Sequence, residues 1–184
     1  MCLSKYIVCD KIPLMSNEIH AFSSADVSKL VGITTVYLNA LVARKLYGIV
    51  PSISDRHGEM KLRIFGENDV FGIALIWMLF EGGLRTKSIR EILFQLVETD
   101  EPDASAAADF IAKSEISHLV ILRAPAKPKK NAKHWLRVEP TSQENLNELF
   151  VESVQKYPGA FILVAPVGTL FSELAGKIRA MYKR

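Results

Sequence analysis

The sequence predicts an α+β protein in two parts, and three observations indicate this fold class. Between residues 22 and 96, apolar side chains recur at helical spacing around one short stretch of strand-like alternation. Residues 101–109, EPDASAAAD, then change the composition to small and acidic residues, which marks a boundary. After residue 115, apolar segments of strand length alternate with amphipathic helical segments, so the second part is expected to be a small α/β module.

Two short helices joined by a tight turn open the first part. Ser23 and Asp26 have the spacing of a capping box, which predicts a helix start. Gly32 ends this helix, because glycine takes the left-handed backbone conformation at little cost. Thr34 or Thr35 caps the second helix. We expect the first helix to bury Val27, Leu30 and Val31. We expect the second to bury Val36, Leu38, Leu41 and Val42.

A basic hairpin follows Pro51 and carries Gly58 at its predicted tip. On its second arm two sets of side chains alternate, namely Met60, Leu62 and Ile64 with Lys61, Arg63 and Phe65. Helix, glycine turn, helix and hairpin are together typical of a winged helix-turn-helix, to which we assign residues 21–98. In such a domain the second helix lies in the major groove of DNA, and the hairpin, or wing, contacts phosphates or the minor groove.

A long apolar helix and a shorter helix close the first part. The segment FGIALIWMLF, residues 71–80, is apolar nearly all round, which favours a place in the core or in a dimer interface. The alternative is an exposed partner or ligand surface formed by Trp77, Met78 and Phe80. Gly82-Gly83 interrupts the chain, and Thr86 or Ser88 caps the last helix.

Residues 22–96 resemble the MerR family of winged-helix DNA-binding proteins. The resemblance begins at the aromatic-serine pair Phe22-Ser23, and Leu38 matches the leucine of the recognition helix. Further matches are Val27, Lys29, Leu30, Gly32, Ile33, the wing signature Arg63-Ile64-Phe65, Asp69-Val70, Gly83-Leu84 and Ile89-Arg90-Glu91-Ile92. The resemblance implies a bacterial transcription regulator whose partners are double-stranded DNA, a second copy of the chain and RNA polymerase.

Two departures from the family pattern limit what the resemblance implies. The family usually carries Arg-Tyr-Tyr after the recognition-helix leucine, whereas this chain has Asn39-Ala40-Leu41. Many members also continue into a long dimerising coiled coil, whereas residues 99–103 follow here without sustained heptads. The resemblance therefore implies neither the DNA sequence that is bound nor the surface that forms the dimer.

Basic residues cluster on the predicted second helix and hairpin. Between residues 29 and 63 the acids are Asp55 and Glu59, while the basic residues are Lys29, Arg44, Lys45, Arg56, Lys61 and Arg63. Ordinary solvated charges are the alternative interpretation, but the architecture presents these positions to a duplex. Polar residues at the start of the second helix add candidates for base or phosphate contacts. The predicted DNA-binding set is Thr34, Thr35, Tyr37, Asn39, Arg44, Lys45, Arg56, Lys61 and Arg63.

Residues 1–20 are interpreted as a tail, with Met15 as an alternative start of the protein. Cys2 and Cys9 both precede Met15, and we interpret them as ordinary thiols rather than as a redox or metal pair. No apolar run reaches the roughly 18 residues that a membrane-spanning helix needs, so we expect a cytoplasmic protein without a membrane partner. The net charge of +3 is too small by itself to imply nucleic acid.

The second part follows a linker at residues 99–114, whose alanine-rich stretch favours a helix. Residues 115–184 then predict strand, strand, helix, strand and helix, and the segment AFILVAP is apolar throughout, as expected for a strand covered on both faces. Thr141 and Glu144 form a second capping box. The helix after it is expected to align Leu146, Leu149, Phe150 and Val154 on one face. Gly168-Thr169 starts the terminal helix.

The second part shows no pattern that indicates catalysis. It has no phosphate-loop lysine, no elbow with a nucleophilic serine and no carboxylate cluster, and we interpret His118 and His134 as ordinary strand residues. We therefore predict that the protein is not an enzyme and has no catalytic residue, no metal site and no cofactor. A sensor or dimerisation domain fits so few strands better than an enzyme core does.

Three functions follow from these observations. The leading one is a sequence-specific, double-stranded-DNA-binding transcriptional regulator, acting as a dimer, whose second part senses an unidentified small-molecule effector or forms the dimer. The first alternative is a DNA-binding adaptor or architectural protein whose second part docks a protein partner. The second alternative is an enzyme that the winged helix targets to DNA.

Overall fold

The computed structural model describes residues 20–55, 61–97, 99–123 and 136–183. In these residues the chain is mixed α+β with two small antiparallel sheets, which confirms the predicted α+β class. The elements in chain order are β1 (Phe22–Ser23), α1 (Ser24–Val31), α2 (Thr35–Ala43), β2 (Ser52–Asp55), β3 (Lys61–Phe65), α3 (Glu67–Glu81), α4 (Thr86–Val97), α5 (Ala104–Lys113), β4 (His118–Arg123), β5 (Leu136–Thr141), α6 (Leu146–Lys156), β6 (Phe161–Ala165) and α7 (Val167–Tyr182).

The two helix caps predicted at the start of the chain are confirmed. Ser23 Oγ accepts a hydrogen bond from the Asp26 amide at 3.2 Å, and Asp26 Oδ2 accepts one from the Ser23 amide at 3.0 Å. Gly32 ends α1 with φ +82°, in the left-handed region where a β-carbon would be strained. Thr34, rather than Thr35, caps α2. Local spacing thus defined the ends of these elements correctly.

The predicted buried face of α2 is right at three positions and wrong at Val36. Leu38, Leu41 and Val42 are buried, whereas Val36 is 80% exposed. A helix turns by about 100° per residue, so Val36 lies nearly opposite Leu38. Its side chain therefore faces away from the core that the other three enter.

The first sheet has the strand order β1-β3-β2. Phe22 of β1 lies opposite Phe65 of β3, and both rings are completely buried. β3 also pairs along its length with β2, where Ile53 lies opposite Arg63. The start of α1 and the second arm of the hairpin are thereby held to the same core.

The core forms around α3, which is buried along most of its length. Ile73, Leu75, Ile76 and Leu79 have no exposed surface, so of the predicted places, core or dimer interface, these residues occupy the core. The alanine-rich helix α5 packs against α3 so closely that a β-carbon on Gly72 would lie 2.8 Å from the carbonyl of Ala104. None of the described helices is both long and apolar enough to cross a membrane.

The second sheet has the order β5-β4-β6 and is antiparallel throughout. Its central strand β4 is buried from Leu119 to Leu122. β6 is an edge strand, and Phe161 at its start is 51% exposed, so the prediction that this strand is covered on both faces is wrong. An all-apolar strand can lie at the edge or at the centre of a sheet, and its sequence alone does not distinguish these two positions.

The predicted capping box at Thr141 and Glu144 is also wrong. Thr141 ends β5, where it lies opposite His118, and its hydroxyl donates to the Ser142 carbonyl. α6 begins later, after Asn145, without a side-chain cap. On α6 the predicted apolar face is split, because Leu146 and Leu149 are half-buried while Phe150 and Val154 are exposed.

The terminal helix α7 packs against the first part of the chain. Its Phe171 ring lies 4.9 Å from the Phe71 ring of α3, measured between centroids. Tyr182 stacks on His20 at 4.1 Å, and its hydroxyl donates to the Ala21 carbonyl at 3.2 Å. The two predicted parts therefore share one continuous core.

Candidate nucleic-acid interface

The N-terminal turn of α2 and the residues just after the helix are exposed. Thr34 Oγ1 accepts a hydrogen bond from the Tyr37 amide at 3.2 Å, which uses the hydroxyl as a cap. Thr35 and Asn39 lie further along the helix and are exposed, as are Arg44 and Lys45 at its end. The helix thus offers short polar side chains at its start and two cations after its last residue.

The hairpin contributes Arg63, which lies on β3 and is half-buried. Lys61 lies on the same strand, where it pairs with Asp55 through the backbone, but its side chain is outside the described part of the structure. The predicted contact residue Arg56 and the predicted tip Gly58 also lie outside the described residues. Of the predicted DNA contacts on the hairpin, Arg63 is therefore the one whose side chain the structure describes.

A hydrogen bond joins the hairpin to α2. Arg63 Nη1 donates to Asn39 Oδ1 at 2.7 Å. This contact fixes the orientation of the Asn39 amide and leaves its NH₂ group free to donate to another acceptor. The guanidinium keeps its other N–H groups, which suit a phosphate. The sequence offered no signal for this pairing, because the two residues are 24 positions apart on different elements.

The ring of Tyr37 packs against α3 and is half-buried. Its centroid lies 5.1 Å from that of Trp77 and 5.9 Å from that of Phe80, both at steep angles. Burial, followed by the nearby Tyr47, raises the pKa of Tyr37, so its hydroxyl stays protonated and can donate. Tyr37 was predicted as a DNA contact, and the structure shows that its ring also fixes α2 to α3.

The cations of this surface are free of carboxylate partners in the part of the chain that the structure describes. The described ion pairs, Lys113 with Asp109 and Arg137 with Glu139, lie on other elements. Arg44, Lys45 and Arg63 form none. Because no described carboxylate forms an ion pair with them, their charge is available to an anionic ligand.

A cleft of about 370 Å³ lies between α1, α3 and α7. Apolar surface makes up about half of its lining, from side chains that include Leu30, Val31, Trp77, Met78, Leu170 and Leu174. Glu81, Glu173 and Lys177 add charges, and Lys177 Nζ donates to the Leu30 carbonyl at 3.4 Å. This volume is within the range of small-molecule sites. The cleft also reaches Gly32, so a ligand in it would touch the turn between α1 and α2.

Among the described residues, histidines and cysteines form no further candidate binding site. His118 at the start of β4 lies with Nδ1 2.8 Å from Ser117 Oγ, and burial lowers its pKa. No three His, Cys, Asp or Glu side chains converge in the described residues to hold a metal. Cys2, Cys9 and His134 lie outside those residues.

A comparison with models of protein families finds no match for the chain, and a comparison with curated proteins finds none either.

Proposed function

We propose that the protein is a sequence-specific, double-stranded-DNA-binding transcriptional regulator that acts as a dimer. The observation that carries this proposal is the hydrogen-bonded pair Asn39 and Arg63, set between an exposed helix start and cations that form no ion pair with a described carboxylate. Two helices with a glycine turn between them and an antiparallel pair of strands beside them are compatible with a winged helix-turn-helix.

In the proposed complex, α2 lies in the major groove and Asn39 faces a base edge. Its free NH₂ group donates to a base acceptor, while Arg63 holds its oxygen and contacts a phosphate. Thr35, Arg44 and Lys45 add backbone contacts on either side. The resemblance of residues 22–96 to the MerR family is a second support, and the proposal of RNA polymerase as a partner rests on that resemblance alone.

The test begins with selection of preferred duplexes from a random library by the purified protein, followed by salt titration of binding. We expect Asn39→Ala to weaken binding to the preferred site by about 1–3 kcal/mol and to leave binding to random DNA unchanged. We expect Arg63→Ala to weaken binding to every sequence and to reduce the log-log salt slope by about one. Because the two side chains touch, the double variant should lose less than the two single losses together.

Lys113→Ala is the matched control, since Lys113 is an exposed cation on α5 that pairs with Asp109, away from the proposed DNA interface. Its affinity and salt slope should equal those of the original chain. Failure of the selection to enrich any sequence, or equal losses on random and preferred DNA for Asn39→Ala, would contradict sequence-specific binding through this surface.

One observation favours the alternative of a DNA-binding adaptor. α6 exposes Phe150, Val151 and Val154, apolar side chains that a docked protein would cover. Analytical ultracentrifugation of the chain with and without its preferred duplex, combined with hydrogen exchange of the α6 amides, separates the two functions. A chain that binds a preferred duplex as a monomer would favour the adaptor, whereas a dimer in which α6 is buried would favour the regulator.

A further inference from the structure

The two edges of the second sheet differ in whether another element forms hydrogen bonds with them. The outer edge of β5 is closed by Gln95 of α4, whose Nε2 donates to the Leu136 carbonyl at 2.9 Å and whose Oε1 accepts from the Val138 amide at 3.0 Å. β5 also carries Arg137, Glu139 and Pro140, residue types that discourage strand pairing. This edge is thereby unavailable to another strand.

β6 forms the opposite edge, and it has none of these protections. Its sequence, FILVA, contains no charge and no proline. It pairs with β4 on one side, from Phe161 opposite Arg123 to Ala165 opposite Leu119. Among the described residues no backbone or side-chain group bonds its outer edge. A bare apolar edge of this kind is a template for another strand.

The composition of β6 suits a second copy of itself. Two antiparallel copies related by a two-fold axis overlap fully when Leu163 lies opposite the partner's Leu163. No like charges meet in this arrangement, because the strand has no charged residue. The backbone groups that face outward then bond to each other, and the two three-stranded sheets become one sheet of six strands.

The apolar surface near β6 is large enough to contribute to such an interface. Residues 157–160 connect α6 directly to β6, which keeps the last turn of α6 close to the start of the strand. Phe161 on the strand and Phe150, Val151 and Val154 on α6 are each about half exposed, and together they supply roughly 350 Å² of accessible surface. A standard interface takes about 800 Å² per partner and is roughly 60% apolar.

We propose that two copies of this chain associate through the outer edges of their β6 strands, forming a continuous six-stranded antiparallel sheet. The interface supplies the symmetric dimer of the proposed regulator, but it needs no DNA to form. Its test is therefore carried out without DNA, so that its failure and the failure of DNA binding are distinguishable.

The experiment measures the dimer dissociation constant of the full chain by analytical ultracentrifugation. We expect a dimer for the original chain and, for Phe161→Lys, a dissociation constant raised roughly tenfold or more, because the lysine charge must be desolvated at the strand edge. Phe110→Lys is the control, since Phe110 is also partly exposed, at 37%, but lies on α5. It should leave the constant unchanged. A monomeric original chain, or equal constants for Phe161→Lys and Phe110→Lys, would overturn the proposal.

Hydrogen exchange of the original chain locates the interface without any substitution. The amides of residues 161–165 should exchange more slowly at concentrations where the chain is dimeric than at concentrations where it is monomeric. Slower exchange confined to other elements would show that the dimer forms elsewhere, and would overturn the proposal even if the dimer itself is real.

Discussion

Single residues in this protein act through close contacts that substitutions can test one at a time. Gly72 is one such case, because a β-carbon there would meet the backbone of Ala104 at 2.8 Å, and backbone atoms cannot move aside as the end of a side chain can. The side of α3 that carries Gly72 therefore lies against the backbone at the start of α5.

We expect Gly72→Ala to lower the free energy of unfolding by roughly 1–3 kcal/mol, since α5 must shift away from α3. Gly176→Ala is the matched control, because Gly176 is an exposed helical glycine of α7 with no atom within 4 Å of its added β-carbon. It should raise stability by up to about 1 kcal/mol through helix propensity. Urea denaturation measures both, and equal effects would contradict the close packing of the two helices.

Residue-level predictions from the sequence succeeded where the cause is local. The capping box of Ser23 and Asp26 and the left-handed Gly32 need only neighbours in the chain, and both are confirmed. Thr141 has the same cap spacing relative to Glu144, yet it ends a strand, because its pairing with His118 across the sheet prevails over the local signal. The bond between Arg63 and Asn39 is likewise set by how two elements meet, which residue spacing does not encode.

At the scale of elements, a side chain of helix α4 forms hydrogen bonds with the outer edge of strand β5. The amide of Gln95 bonds both a carbonyl and an N–H of β5, as a neighbouring strand would. One side chain thereby satisfies backbone groups that an edge strand otherwise leaves to water.

We expect Gln95→Ala to lower the free energy of unfolding by about 1–2 kcal/mol, because the Leu136 carbonyl and the Val138 amide lose their partner. The variant should also aggregate more readily as the β5 edge opens. Gln155→Ala on α6 is the control, since Gln155 is exposed and outside this contact. Thermal unfolding with light scattering follows both properties, and indistinguishable variants would show that Gln95 does not protect the edge.

The sequence predicted the order of strands and helices in the second part, but not which strand lies at the centre. β4 and β6 are both runs of apolar residues, and only the pairing shows that β4 is central and β6 an edge. Val36 illustrates the same limit in a helix, since its apolar character predicted burial while the helical turn places it outside.

On the scale of the whole molecule, α7, the last described element, packs against the first described residues of the chain. Tyr182 contacts His20, Phe22 and Ala21 at once, through two ring contacts and one hydrogen bond. Lys177 reaches the carbonyl of Leu30 at the end of α1. The predicted division of the chain into two parts did not anticipate these contacts, because more than 140 residues separate the partners.

We expect Tyr182→Ala to lower the free energy of unfolding by roughly 1–2 kcal/mol, because the ring contacts and the hydrogen bond are lost together. Amides of α1 should then exchange faster with solvent. Tyr182→Phe keeps the ring and should lose no more than about 1 kcal/mol. Unchanged exchange in α1 for Tyr182→Ala would show that α7 does not stabilise the first part.

The position of α7 also has a consequence for the order in which the protein can fold during synthesis. Tyr182 and the carbonyl of Ala21 are 161 residues apart, so their contact cannot form until Tyr182 has emerged from the ribosome. Until then α1 and α3 lack the helix that packs on them, and the surface around Leu30 and Trp77 stays uncovered. The nascent chain therefore carries α1 and α3 without their packing partner until α7 has been synthesised.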